Sequence, residues 1–233
     1  EVEVLNLRRD VERVPALRRL RQLDLRVGGI NPQAFQPAWP QAALALSVQL
    51  KPQDADTIAG GLSLVNSQPG ALSAKRLPLS LLWGDFRIHK DTLQLPGLTA
   101  QLGGGQVTLR GKASASALAL QLGLSGLDSQ AVDGSLPAHK VSGTVAVSGS
   151  PQLPALALKL ASGKLAVESR VALAEKPRRV KLDDLLLRTG LGRFQGKGQY
   201  LIDDKALGFD GRFISFDPGL LDARLPRGNI NGQ

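Results

Sequence analysis

The chain has neither cysteine nor methionine. Without cysteine there is no disulfide framework, no thiolate chemistry and no cysteine-ligated metal. Without an initiating methionine, the stretch is expected to begin inside a longer polypeptide. Its last residues, Ile230-Asn231-Gly232-Gln233, are expected to open a further strand. Aromatic residues make up only 4% of the chain, too few for stacked-base recognition of nucleic acid or for the aromatic girdles of an outer-membrane barrel. No run of about 18 uncharged apolar residues is present, so no bilayer-crossing helix is expected. The start carries no signal-peptide pattern. Only two histidines occur, His89 and His139, and neither has a carboxylate or second imidazole at metal-binding spacing. No cofactor is expected.

What is present is repetition. Three stretches open on Asn or Asp: Ile30-Asn31-Pro32 with Phe35, Trp39-Pro40 and Leu44; Leu127-Asp128-Ser129 with Val132, Leu136-Pro137 and Val141; Phe216-Asp217-Pro218 with Leu221, Leu225-Pro226 and Ile230. Counted from the Asn or Asp, apolar residues fall at −1, +4, +8 and +13, and a proline at +9. Such an Asn or Asp caps free backbone N–H groups. The +4 and +8 residues are expected to share one face of a short helix that the proline stops, with Trp39, Leu136 and Leu225 packed in the corner. The copies lie 128 − 31 = 97 and 217 − 128 = 89 residues apart. The expected organisation is the end of a preceding repeat in 1–30, unit 1 in 31–127, unit 2 in 128–216 and the start of another unit in 217–233.

Ahead of the first corner, Val11, Val14, Leu17 and Leu20 fall at helical spacing among arginines, which reads as a solvated helix or the tail of a preceding repeat. From Leu23 onward the apolar period is two, that of strands with one face covered. In unit 1 the alternating set is Leu44, Leu46 and Val48; Leu62 and Leu64; Phe86 and Ile88; Leu93 and Leu95; Val107 and Leu109; Leu118, Leu120, Leu122 and Leu124. In unit 2 it is Val145 and Val147; Leu156, Leu158 and Leu160; Leu165, Val167, Val171 and Leu173. Gly190, Gly192, Phe194 and Gly198 match Gly103, Gly105, Val107 and Gly111 under one offset of 87. Six or seven short strands per unit are expected.

The net charge of +9, from 29 basic and 20 acidic residues, is spread along the chain and favours anionic surfaces. A uniform aliphatic stripe with few aromatics fits an elongated, curled antiparallel sheet better than a jigsaw sandwich core. The expected fold is all-β, an open hydrophobic groove built from roughly 90-residue repeats with short helical corners. A strand of six to eight residues spans roughly 20–26 Å at ~3.3 Å per residue, and one leaflet of hydrocarbon is about 15 Å deep. A groove lined this way could hide a lipid tail, whose exposure to water costs on the order of 0.8 kcal/mol per methylene.

The repeated corner, the segment Leu62-Ser63-Leu64-Val65-Asn66 through Pro69-Gly70 to Arg76-Leu77-Pro78-Leu79, and residues 198–218 resemble the TamB (translocation and assembly module subunit) family, part of the AsmA-like group of bacterial envelope proteins. The resemblance covers residues 20–233. It implies a β-taco bridge in the periplasm, anchored in the inner membrane by a segment outside this stretch. Such a bridge carries phospholipid toward the outer membrane and meets a TamA-like barrel partner through other parts of the protein. The family has no catalytic residues, so no enzyme activity is implied. Lipid contact is implied only as a face, the alternating aliphatic positions above.

Other residues read more plainly. His89 belongs to the polar phase of a strand. Asp183-Asp184 and Asp203-Asp204 are not an acid–base pair, the second falling in a hairpin turn. Gly103-Gly104-Gly105 lacks the Lys-Ser/Thr of a phosphate loop. Arg178, Arg179 and Lys181 have no interleaved aromatics and read as a solvated strand end, so no nucleic-acid partner is expected. The competing function is a scaffold or chaperone that pairs its sheet edge with outer-membrane protein strands. A carbohydrate-binding module would need the aromatic platforms this chain lacks.

Overall fold

A computed structural model describes residues 2–5 and 22–233; the helical spacing between Val11 and Leu20 lies outside the described residues. In chain order the strands are β1 (Val2–Leu5), β2 (Leu23–Ile30), β3 (Leu44–Pro52), β4 (Thr57–Asn66), β5 (Leu79–His89), β6 (Thr92–Leu102), β7 (Gly105–Ala113) and β8 (Leu118–Asp128). A single turn of helix, α1 (Ser129–Val132), follows. Then come β9 (Lys140–Gly149), β10 (Pro154–Ser162), β11 (Leu165–Glu175), β12 (Arg178–Thr189), β13 (Gly192–Leu201), β14 (Ala206–Phe216) and β15 (Ile230–Gly232). All fifteen join one sheet in strict chain order, every neighbouring pair antiparallel. The sheet is curled and does not close, so β1 and β15 are its edges.

From β3 to β14 the strands run 9 to 12 residues, longer than the six to eight the pattern suggested. Two of them, β6 and β12, absorb a bulge and continue through it. Pro96-Gly97 and Asp183-Asp184 sit inside β6 and β12, where the register shifts between Leu95 and Leu98 and between Leu182 and Leu185. The two sites are 87 residues apart. A bulge of this kind leaves the strand continuous and bends it.

Each Asn/Asp corner is one turn of helix or 3-10 helix between two strands. The 3-10 turn Pro32–Ala34 lies between β2 and β3, α1 between β8 and β9, and the 3-10 turn Pro218–Leu220 between β14 and β15. The caps act as the sequence suggests: Asn31 Oδ1 accepts from Gln33 N–H, Asp128 Oδ1 from Gln130 and Ala131 N–H, and Asp217 Oδ1 from Gly219 N–H. The expectation of a helix reaching to +8 and stopped by the proline is wrong. The turns end by +4, well short of Pro40, Pro137 and Pro226. Nor do the +8 residues pack inside. Trp39, Leu136 and Leu225 stay 50%, 46% and 44% exposed, because the chain has already left the turn and runs along the rim of the sheet.

A shared feature escaped the sequence reading. Two residues before each cap the backbone enters the left-handed region, at Gly29 (φ 71°), Gly126 (φ 62°) and Ser215 (φ 48°). In all three places the strand register slips there, between Val27 and Ile30, Leu124 and Leu127, and Phe213 and Phe216. Glycine at −2 in two copies was the available signal.

A fourth turn, the 3-10 turn Leu72–Ala74 between β4 and β5, has no side-chain cap. Its anchor is Asn66, 4% exposed at the end of β4. Asn66 Oδ1 accepts from Ala43 and Gln68 N–H while its Nδ2 donates to Leu77 and Leu79 C=O. One amide thereby ties β3, β4 and β5 together at one end.

Two outcomes follow. Ser215→Gly raises stability by up to about 1 kcal/mol, the cost of left-handed backbone for a residue with a Cβ, and Gly126→Ala lowers it by a similar amount. Asn66→Ala orphans two N–H and two C=O groups and costs at least 2–3 kcal/mol. Urea midpoints of the three variants check both, and an unchanged midpoint for Gly126→Ala would contradict the corner geometry.

Candidate functional site: one uncharged face of the sheet

Directly opposed residues of an antiparallel pair share a face, so the register shows which side chains stand together. One row crosses the sheet as Leu25, Val48, Leu62, Gly84, Leu98, Leu109, Leu122, Val145, Leu158, Ser169, Leu185 and Gly196, each opposite the next. A second runs beside it through Val27, Leu46, Leu64, Leu82, Ala100, Val107, Leu124, Gly143, Leu160, Val167, Leu187, Phe194 and Phe213. By register, all the alternating aliphatic positions singled out from sequence, from Leu44 to Leu173, lie on this one face. Between β2 and β14 the face carries no charged residue, except for Glu175 and Arg178, opposed beside the β11–β12 turn.

Charge occupies the other face. Glu168 there sits between Lys159 and Arg188, at 3.4 and 3.2 Å, and Lys197 lies 3.8 Å from Asp210. These exposed cross-strand pairs contribute little stability each, but they keep that face hydrated.

The apolar face is not sealed. All the described strands belong to one sheet, and their close backbone packing runs between sequence neighbours. Leu44 and Leu95 are buried; Ile88 and Leu156 are exposed by more than a third; the other singled-out residues are intermediate. No large side chain of the described residues is fully buried. The accessible surface is 14817 Å², against roughly 10,000 Å² for a compact monomer of this mass. A contiguous apolar face left partly accessible marks a binding surface in a stable protein.

Toward one end the lining changes character. Four of the six phenylalanines gather on β13 and β14. Phe194 stacks on Phe209 at 5.7 Å and meets Phe213 at 4.5 Å, and Phe216 closes edge-on at 6.4 and 5.4 Å. The rings lie over glycine: a Cβ on Gly196 or Gly211 would come within 3.0 Å of ring atoms of both Phe194 and Phe209. Phe194 shows in sequence only as the counterpart of Val107, so the cluster was not visible there. The signal was glycine at alternate positions of β13, Gly196 pairing with Gly211 and Gly198 with Phe209 beside the Phe194–Phe213 pair.

Of the polar groups on this face, Ser169 is buried within the first row, while Asn66 and Thr189 are tied down at the margin. Thr189, nearly inaccessible, accepts through Oγ1 from Asp217 N–H at 3.1 Å. His89 lies outside the face, exposed, 3.0 Å from the Thr57 hydroxyl. His139 joins two corners, its Nε2–H donating to Leu221 C=O at 2.9 Å. Asp183 pairs with Lys181 on the charged face, Arg179 reaches Gln199, and Asp203-Asp204 occupy the β13–β14 turn. Gly103-Gly104 is a hairpin turn. Among the described residues no group of three His, Asp or Glu side chains gathers as a metal would need, and no helix is long and apolar enough to cross a membrane. Comparison with protein-family models, with curated proteins and with solved structures finds no match to this chain.

An open face and a sealed core respond differently to truncation. Leu122→Ala is expected to cost about 1–1.5 kcal/mol, below the 2–5 kcal/mol of a sealed core. Leu95→Ala, at a buried position, should fall inside that range. Paired urea melts decide, and a loss above 3 kcal/mol for Leu122→Ala would mean that the face is covered.

Proposed function

We propose that the uncharged face is a hydrophobic groove that shields phospholipid acyl chains, and that the chain is a non-enzymatic bridge segment for lipid transport between two membranes. One observation carries this: an apolar face, charged only at Glu175 and Arg178 beside one turn, crosses the sheet from β2 to β14 and stays largely accessible. In this reading β3–β8 and β9–β14 are two repeat units, each entered through an Asn/Asp corner, and strand bending at the bulges raises both strand ends into the lips of a trough. A strand of 9 to 12 residues spans roughly 30–40 Å at ~3.3 Å per residue, enough to curl around a tail.

The energetics favour carriage over storage. A 15-carbon tail costs about 12 kcal/mol to expose. An aliphatic surface offsets most of that wherever the tail lies and, having no polar anchor, traps it nowhere. In this reading, which follows the resemblance to the TamB family, the segment lies in the periplasm, with an inner-membrane anchor and a TamA-like barrel partner contributed by other parts of the protein.

A second reading, a scaffold that adds a client strand to a sheet edge, would use the exposed Leu207 and Phe209 of β14.

Photocrosslinkers at Leu120 and Leu158, with Gln121 of the charged face as control, separate the two. Phospholipid adducts at the first two and not the third are expected, and Leu120→Lys or Leu158→Glu should abolish lipid transfer. Equal labelling at all three sites, or loss of activity only with proline in the β14 edge, would overturn the groove.

A further inference from the structure

Among the described strands, one aromatic side chain stands on the charged face. It is Trp83 of β5, and it is 37% exposed. The register sets it in a row with Arg26, Ser47 and Ser63 on one side and Thr99 and Thr108 on the other, each opposite the next. Its partners across the ladder, Ser63 and Thr99, are short hydroxyl side chains, so the indole stands above them. The groove lies on the opposite face, and Trp83 contributes nothing to it. Composition argued against carbohydrate platforms, but the register stands this one in the open.

Two open depressions flank the row. One, of 420 Å³, lies between Gln49, Lys51, Asp85 and Arg87 over Gly61. The other, of 630 Å³, lies between Arg26, Ala45, Ser47 and Val65 beside Gly28 and Gly29. Bare backbone opens the first. Gly61 and Gly97 stand opposite Asp85 on either side, and added Cβ atoms there would come within 3.3 Å of Asp85 Oδ1 and 3.8 Å of Arg110 Nε. Asp85 and Arg87 are exposed, and among the described residues neither enters an ion pair. Amide, ammonium, carboxylate and guanidinium groups thus ring a glycine floor. The floor is one residue pair from the indole, about 6.6 Å along the strand.

We infer that the charged face of β2–β7 binds an extended acidic glycan, with the Trp83 ring against the C–H face of one sugar and the polar groups beside it on the hydroxyls and carboxylate of the next. A sugar ring is apolar on its flat side and hydrogen-bonding at its rim. Amides both donate and accept, and carboxylate and guanidinium groups engage neighbouring hydroxyls or an acid in pairs. A row across the sheet offers one side chain per ~4.8 Å, close to the advance of one ring in an extended chain. Arg26, Lys51, Arg87 and Arg110 outnumber Asp24 and Asp85 on this part of the face, which favours a glycan bearing carboxylates over a neutral one. A protein partner would need a broader apolar patch, and here only Val65 and Leu81, opposite one another, join Trp83.

Trp39 and Trp83 are the two tryptophans of the chain, so Trp39→Phe leaves Trp83 as sole reporter. Titrated with hyaluronan hexasaccharide, that protein should show a saturable change in tryptophan emission, and the affinity should fall as salt rises. Neutral chitin hexasaccharide should bind more weakly and without salt dependence. By calorimetry on the otherwise native chain, Trp83→Ala should weaken both glycans about tenfold. Trp83→Tyr should restore most of the loss, and Arg87→Gln should weaken hyaluronan alone. Urea midpoints and lipid crosslinking at Leu120 should be unchanged in all three variants. Full affinity in Trp83→Ala would overturn the glycan assignment. So would a native chain that binds neither glycan, which would leave the Trp83 patch to a protein partner. The groove stands in either case.

Discussion

Everything in this molecule depends on register. A strand alternates its side chains with a period of two, so a slip of one residue moves a whole apolar set to the opposite face. Twelve successive antiparallel pairings, from β2 to β14, must each hold phase for Leu25 and Phe213 to end on the same side of the sheet. The bulges are the places where that phase would be lost, and they are handled alike. At Pro96-Gly97 and Asp183-Asp184 the slip spans two residues, Leu95 to Leu98 and Leu182 to Leu185, which restores the same face on the far side.

The corners solve the other half of the problem. Hairpins set register through tight turns, but a longer connection leaves it loose. At β2–β3, β8–β9 and β14–β15 the chain instead uses a left-handed residue, a capped turn and contacts to another loop. Asp128 N–H donates to Gly103 C=O, and Asp217 N–H to Thr189 Oγ1. The second and third corners are thus each held by the hairpin before them, and the first by the later β4–β5 loop through Gln41. Asn66 does the same for the β4–β5 connection with one side chain. These polar devices all lie at strand ends, where backbone groups would otherwise go unpaired.

Charge separation gives the face its character. Ion pairs such as Lys159–Glu168–Arg188 stand on one side of the sheet while leucine and valine stand on the other. A sheet with one mainly apolar, accessible side forgoes the burial that stabilises a sandwich. Its stability must come from the ladder, from cross-strand contacts such as Leu122 with Leu109 and Val145, and from what covers the face. The proposed acyl chains would supply that last contribution, which ties the stability of this fold to its occupant.

By itself the amino-acid sequence determined the all-β character, the face on which each aliphatic residue stands and the positions of the three capped turns. It could do so because alternation and capping are local, decided by neighbours a few residues apart. Only the tertiary structure decided that the strands pair in unbroken chain order without a second layer, that Trp39, Leu136 and Leu225 stay outside, and that four phenylalanines meet over glycine. Those outcomes depend on which residues lie opposite one another across strands and on how far a turn runs before the chain leaves it. Period-two patterning looks the same in a sandwich and in an open sheet, and what separates them is the hydrogen-bond partner each strand finds.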